Sequence, residues 1–129
     1  MSDNATTVDE LRRLVDQFVS QRDWHQFHTP KNLSIALAIE AAEVMEHFQW
    51  LDPQESQAVG HDPQKRAAVG EELADVICYV LAMANALNID VADAVRNKMF
   101  KNAQKYPVDQ FRGRWGAGDT RPGGGPRGA

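Results

Sequence analysis

Residues 30–51, PKNLSIALAIEAAEVMEHFQWL, and residues 63–87, PQKRAAVGEELADVICYVLAMANAL, decide the fold of this 129-residue chain. Each opens on a polar N-cap followed by proline at the first helical position, Thr29-Pro30 and Asp62-Pro63; the missing proline N–H costs nothing there, and its fixed φ suits the first turn. In the first stretch, at about 100° per residue with Glu40 as zero, Leu33, Leu37, Val44, Phe48 and Leu51 fall within roughly 20° to 80°. Ile35, Ile39 and Trp50 fall near −80° to −140°. A helix apolar on two sides needs two partners, one inside its own domain and one in a second subunit. Asp52-Pro53 ends this helix, a polar stretch runs through Gly60, and the next helix continues to about Leu87 with Gly70 as its weak point.

Both stretches carry paired carboxylates at i, i+3: Glu40 and Glu43 in the first, Glu72 and Asp75 in the second. Each pair projects from one side of its helix, so two packed helices can aim four oxygen-bearing groups at one point. Like charges about 4 Å apart repel by about 4 kcal/mol at an effective dielectric of 20, so something positive must compensate. Magnesium prefers oxygen donors in octahedral geometry and shares its shell with substrate phosphates, and these four residues are candidate ligands for it. The competing reading of any single pair is a solvated acidic face. It weakens here because both pairs flank apolar stripes, Glu72 and Asp75 beside Leu73, Val76 and Val80. Glu46 and Glu71 lie further round their helices, and His47, four residues after Glu43, is on the ligand side, where it orients a ligand or simply neighbours one.

Flanking segments complete an all-α pattern. Thr7 and Glu10 make a capping box before Val8, Leu11, Leu14, Val15, Phe18 and Val19, which recur with helical period to about Arg22. After a break at Asn88-Ile89, Asp90 caps a last helix that Pro107 closes near Tyr106. No segment alternates with period two, so the expected architecture is an antiparallel four-helix bundle that oligomerises through its outer helix faces. Boundaries follow as a flexible 1–7, a helical domain over 8–111, and a Gly/Arg/Pro-rich disordered tail over 112–129. That tail holds seven glycines and two prolines, too little apolar surface to offset its ordering entropy.

The net charge of −4 hides an asymmetry, because residues 112–129 carry four arginines against Asp119 and are +3, leaving −7 for the rest. An acidic body argues against nucleic acid as a partner. No apolar run approaches the roughly 20 residues of a membrane span, and MSDNATTVDE has neither the basic start nor the apolar stretch of a secretion signal; a cytoplasmic protein is expected. The one cysteine, Cys78, excludes an internal disulfide, and its neighbours Val76, Ile77 and Val80 favour an inert buried thiol.

Two further groups suit a nucleotide. Lys98, Lys101, Asn102 and Lys105 lie within about 100° of arc on the last helix and suit phosphate oxygens, although a basic helix end is also stabilised by the macrodipole alone. Trp24, Phe27, Trp50 and Tyr79 offer ring faces for a base, against the alternative of ordinary core packing. Trp24 and His28 occupy a polar connector, DWHQFHT, where core membership is less automatic.

At this point RDWHQFHTPKNLSIALAIEAAEVMEHFQW, EELADVICYVLAMA and NKMFKNAQKYPVDQFRGR, in that order over roughly residues 8–114, resemble the all-α nucleoside triphosphate pyrophosphohydrolases of the MazG type, in the dCTP pyrophosphatase branch. The resemblance implies cleavage of a (deoxy)nucleoside triphosphate, dCTP or a modified dCTP, to monophosphate and pyrophosphate. It implies Mg²⁺ on Glu40, Glu43, Glu72 and Asp75, and assembly as a homodimer or homotetramer. Trp24, Trp50 and Tyr79 match base-pocket aromatics, and Lys31, Asn32, Lys98, Asn102, Lys105 and Tyr106 match polar positions near the nucleotide. Two departures stand out: Ile39 precedes Glu40 where many relatives double the glutamate, and this chain lacks the histidine that vertebrate-type relatives place near Val15.

Two rivals remain. A di-iron carboxylate bundle needs E-x-x-H in two helices, and that pattern is absent. A non-catalytic helical dimerisation module would leave the acidic faces simply wet, and pyrophosphate release separates it from the enzyme.

Overall fold

The computed structural model describes residues 1–114. Its described residues are all helix, turn and connector: α1 Val8–Gln21, α2 Pro30–Glu46, α3 Pro53–Ala58 running into a 3₁₀ turn at Val59–His61, α4 Pro63–Leu87, α5 Val91–Lys105 and α6 Val108–Phe111. The four long helices are those the periodicity predicts. The expected tail lies, from residue 115 on, outside the described residues.

Three helices share one start signal. Thr29, Asp52 and Asp62 are all extended, accept backbone N–H groups on their side chains, and precede a proline. In α1 the Thr7 hydroxyl accepts from the Glu10 N–H at 3.1 Å while the Thr7 N–H donates to the Glu10 carboxylate at 2.6 Å, which closes the capping box. The same bonds hold the Glu10 carboxyl below its usual range. At the far end of α4, Asn88 takes the left-handed conformation at φ 52°, and the Ile89 N–H turns back to the Ala84 carbonyl at 2.9 Å.

Two expectations need correction. The second long helix stops at Glu46 rather than near Leu51. Residues 47–51 tighten into i→i+3 bonds, among them Phe48 N–H to Met45 at 2.9 Å and Leu51 N–H to Phe48 at 3.0 Å, because the residue ahead of Pro53 is excluded from helical geometry. The polar stretch that follows is not a loop, since Asp52-Pro53 starts α3 as well as ending the turn.

The chain divides into two compact units, Met1–Val91 and a second from Ala92 onward. In the first, α4 is the common partner: both α2 and α1 pack on it. Leu33 of α2, 2% exposed, and Leu81, Ala82 and Ala84 of α4 are buried, joined by Val19 and Val59. Arg12 clasps α1 to the C-terminal turn of α4. Its guanidinium donates to Asn85 Oδ1 at 3.0 Å, to the Ile89 carbonyl at 2.6 Å and to the Ala84 carbonyl at 3.3 Å, and Asn85 donates back to the Arg12 carbonyl.

The other side of α2 is uncovered. Ile35 and Ile39 are about half exposed, as are Leu73 and Ile77 on α4. Both faces expected of α2 are therefore present, the first packed and the second bare. In the second unit, Val95, Met99 and Phe100 are also exposed, and the Tyr106 and Phe111 rings meet edge-on at 5.1 Å.

Candidate active site

The packing of α2 on α4 brings three carboxylates together. One oxygen each of Glu40, Glu43 and Glu72 lies within 4.8 Å of the others, and all three side chains are partly shielded. Glu40 Oε2 and Glu72 Oε2 are fully covered and reach no hydrogen-bond donor. A buried carboxylate oxygen without a partner costs on the order of 1–3 kcal/mol or more. The group within hydrogen-bonding reach of both side chains is itself a carboxylate, Glu43, so only a shared proton or a cation reconciles the three.

The electrostatics agree. Burial pushes the Glu40 carboxyl above its usual range, helped by Glu43 and by the charges of Asp75 and Glu72. Contact with Glu43 does most to raise Glu72, followed by burial, while His47 opposes the shift. His47 Nε2 stands 3.8 Å from Glu72 Oε1, with both side chains largely covered. The donor set is all oxygen and multiply negative, which fits a hard divalent cation.

Asp75 stands apart from this trio. It is exposed and lines a cavity of about 500 Å³ between α1 and α4. The α1 wall is apolar, with Leu14, Val15, Phe18 and Val19; the α4 wall bears Asp75, Cys78, Tyr79 and Ala82; Trp24 and His28 come from the connector. The Trp24 ring meets Phe18 edge-on at 5.8 Å and lies 6.4 Å from His28, and the Arg22 guanidinium covers Phe18 at 3.6 Å. Trp24, His28 and Tyr79 thus line one cavity with a carboxylate.

Other candidates are placed elsewhere. Trp50 is 87% exposed and does not line this cavity. Lys31 is exposed at the start of α2, and Asn32 donates to the Phe27 carbonyl at 3.0 Å, which fixes the connector. Lys98, Asn102, Lys105 and Tyr106 belong to the second unit, where the Lys105 ammonium sits 5.3 Å over the Tyr106 ring and Asn102 is partly covered. Cys78 is a correction: it is exposed on the cavity wall rather than buried, because α1 leaves that side of α4 open. Arg22, which caps the end of α1 and covers the Phe18 ring of the cavity wall, is a residue that periodicity does not single out.

Residues 35–115, more than half of the chain, match the model of the MazG-like family. The chain belongs to the MazG-like family. It is 44% identical over 107 residues to dCTP pyrophosphatase 1 of Mus musculus, covering 83% of this chain and 63% of that protein, and 44% identical over 106 residues to dCTP pyrophosphatase 1 of Homo sapiens, covering 82% and 62%. The chain thus spans somewhat less than two thirds of the length of these curated relatives. In structure it is similar to a pyrophosphatase from Archaeoglobus fulgidus, with TM-score 0.73 and 36% identity over 83% of this chain and 98% of that one. The matched segment contains all four expected ligands, while Trp24, His28, Lys31 and Asn32 lie before it.

Proposed function

We propose that this MazG-like chain, through its helical domain over 8–111, is a nucleoside triphosphate pyrophosphohydrolase that uses Mg²⁺ and converts dCTP or a modified dCTP to the monophosphate and pyrophosphate in the cytoplasm. The observation that carries the reading is the pair of covered, donorless oxygens on Glu40 and Glu72 beside Glu43, next to a cavity lined by Phe18, Trp24 and Tyr79 and a carboxylate. Relatives named dCTP pyrophosphatase support the choice of base. Among the described residues no helix is long and apolar enough to cross a membrane.

Glu40, Glu43 and Glu72 would hold the cation, with Asp75 at the border with the base cavity. Bound there, Mg²⁺ neutralises triphosphate oxygens and acidifies water. Trp24 and Tyr79 stack the base, and Asp75 accepts a hydrogen bond from an exocyclic amine. Glu43 takes the proton from the attacking water as the nucleophile adds to the α-phosphorus and pyrophosphate departs. Lys31 and Asn32 supply donors for the remaining phosphate and sugar oxygens. A second copy covers the bare Ile35, Ile39, Leu73 and Ile77 surface and the exposed Trp50, forming a homodimer or homotetramer.

A pyrophosphate-release assay over the common and C5-substituted nucleotides, with and without Mg²⁺, tests the proposal. Cation-dependent release from a cytidine nucleotide is expected. No release from any nucleotide would leave a non-catalytic helical module.

A further inference from the structure

Arg22 ends α1 and is itself exposed. The chain reverses there in one step: Asp23 takes the left-handed conformation at φ 53°, and the Trp24 N–H returns to the Val19 carbonyl at 3.0 Å. Arg22 folds back over the last turn of its own helix. Its guanidinium carbon lies 3.6 Å from the centre of the Phe18 ring, four residues earlier, while Nη1 donates to the Phe18 carbonyl at 3.0 Å. The Trp24 ring meets the same Phe18 edge-on at 5.8 Å and lies 6.0 Å from the guanidinium. Phe18 is thus held by a cation over its face and by an indole packed edge-on. Burial fixes neither ring, since Phe18 is 49% and Trp24 42% exposed, and exposed side chains change rotamer within picoseconds to nanoseconds.

We infer that Arg22 is a positioning residue for the base: stacked on Phe18, it holds the Phe18 and Trp24 rings in the arrangement that lines the cavity with Tyr79, and so sets how tightly a nucleotide is captured without touching it. The inference rests on the nucleotide reading proposed above. Arginine suits the task because its planar guanidinium stacks on a ring while its N–H groups donate sideways. The contact favours one arrangement of the two rings over the others, and apparent affinity falls with the fraction of protein in the competent arrangement. None of Glu40, Glu43 and Glu72 lines this cavity, so losing the contact weakens binding and leaves the chemical step alone.

Two measurements on the intact chain test it, with circular dichroism to confirm the fold. One is steady-state pyrophosphate release with Mg²⁺ and the nucleotide cleaved best. The other is ¹⁹F NMR of chain labelled with 5-fluorotryptophan, where the Trp24 resonance is the one lost in Trp24→Phe. In Arg22→Leu we expect KM to rise about fivefold, which is about 1 kcal/mol at 1.4 kcal/mol per tenfold, with kcat within about twofold and the Trp24 resonance shifted. Arg22→Lys keeps a cation for the ring and should hold KM within about twofold. In a Phe18→Leu background the Arg22→Leu change should add nothing, because the ring it acts through is gone. An unmoved KM or Trp24 resonance, a matching fall in kcat, or a Lys variant that behaves like Leu would overturn the role of Arg22 while leaving the enzyme standing. So would an Arg22→Leu effect that persists without Phe18, as direct contact with phosphate requires. If the unaltered chain releases pyrophosphate from no nucleotide, the nucleotide reading itself fails, and this inference with it.

Discussion

Glu43 of α2 reaches Glu72 of α4 closely enough to be the largest influence raising the Glu72 carboxyl above its usual range. Two helices are thus packed with acid against acid. Glu40 is raised as well, chiefly by burial, so the folded state binds protons more readily there than the unfolded chain does. By linkage, stability then falls as pH rises through the raised values. We expect the metal-free protein, held in chelator, to gain melting temperature as pH is lowered from 8 toward the ordinary glutamate value of about 4.3. Saturating Mg²⁺ should flatten that trend above pH 7. Thermal melts across pH, with and without the ion, measure both effects.

Removing one charge from the trio should separate function from stability. Glu40→Gln is expected to lose more than about 100-fold in kcat/KM, since losing even an outer partner of a metal site costs 10–100-fold. The same variant should melt at or above the unaltered protein in chelator, because a repelling, donorless carboxylate is gone. Turnover assays paired with chelator melts check it; a Glu40→Gln variant that keeps its turnover removes Glu40 from the site. Asp75→Asn should likewise abolish turnover, with the helical circular dichroism spectrum intact.

Arg12 should matter for folding alone. Its guanidinium satisfies two carbonyls and an amide at the end of α4, and charged hydrogen bonds contribute about 1.5–3 kcal/mol each before the cost of fixing them. Arg12→Ala is expected to destabilise by about 2–3 kcal/mol in urea unfolding. Lysine should not rescue it, since an ammonium cannot span all three acceptors.

Cys78 reports on the cavity. Partial desolvation on the cavity wall and the neighbouring Asp75 charge push its thiol up, so alkylation by iodoacetamide at pH 8 should be slower than for a free thiol and faster in Asp75→Asn. dCTP with Mg²⁺ should protect the thiol, because Cys78 lines the same wall as Tyr79. Mass spectrometry of the labelled protein reads both.

Gly70 lies within α4 without interrupting it, and a Cβ placed there meets nothing within 4 Å. Gly70→Ala should stabilise by about 0.5–1 kcal/mol through helix propensity, seen as a melting temperature raised by several degrees.

Local chemistry made most of the fold legible. Thr29-Pro30 and Asp62-Pro63 mark the starts of α2 and α4 without reference to distant residues, and the two apolar arcs of α2 anticipate that it has a second apolar side, although not which of the two is bare. Asp52-Pro53 carries the same signal, but the six residues PQESQA after it are too short and polar to show a period. In the site, i, i+3 spacing sets Glu40 and Glu43 side by side on α2 and helix packing adds Glu72 from α4, while Asp75 lines the cavity between α1 and α4. The exposure of Cys78 depends on how closely α1 approaches α4, a tertiary fact that neighbouring valines do not encode.

Asp75 belongs to two places at once: it lines the cavity between α1 and α4, and its charge bears on Glu40 and Glu72. Under the function proposed above, an ill-fitting base that displaces Asp75 would also disturb the carboxylates. Discrimination between nucleotides would then register in the speed of bond cleavage more than in the tightness of capture, and a wrong nucleotide would be held for a time and released whole.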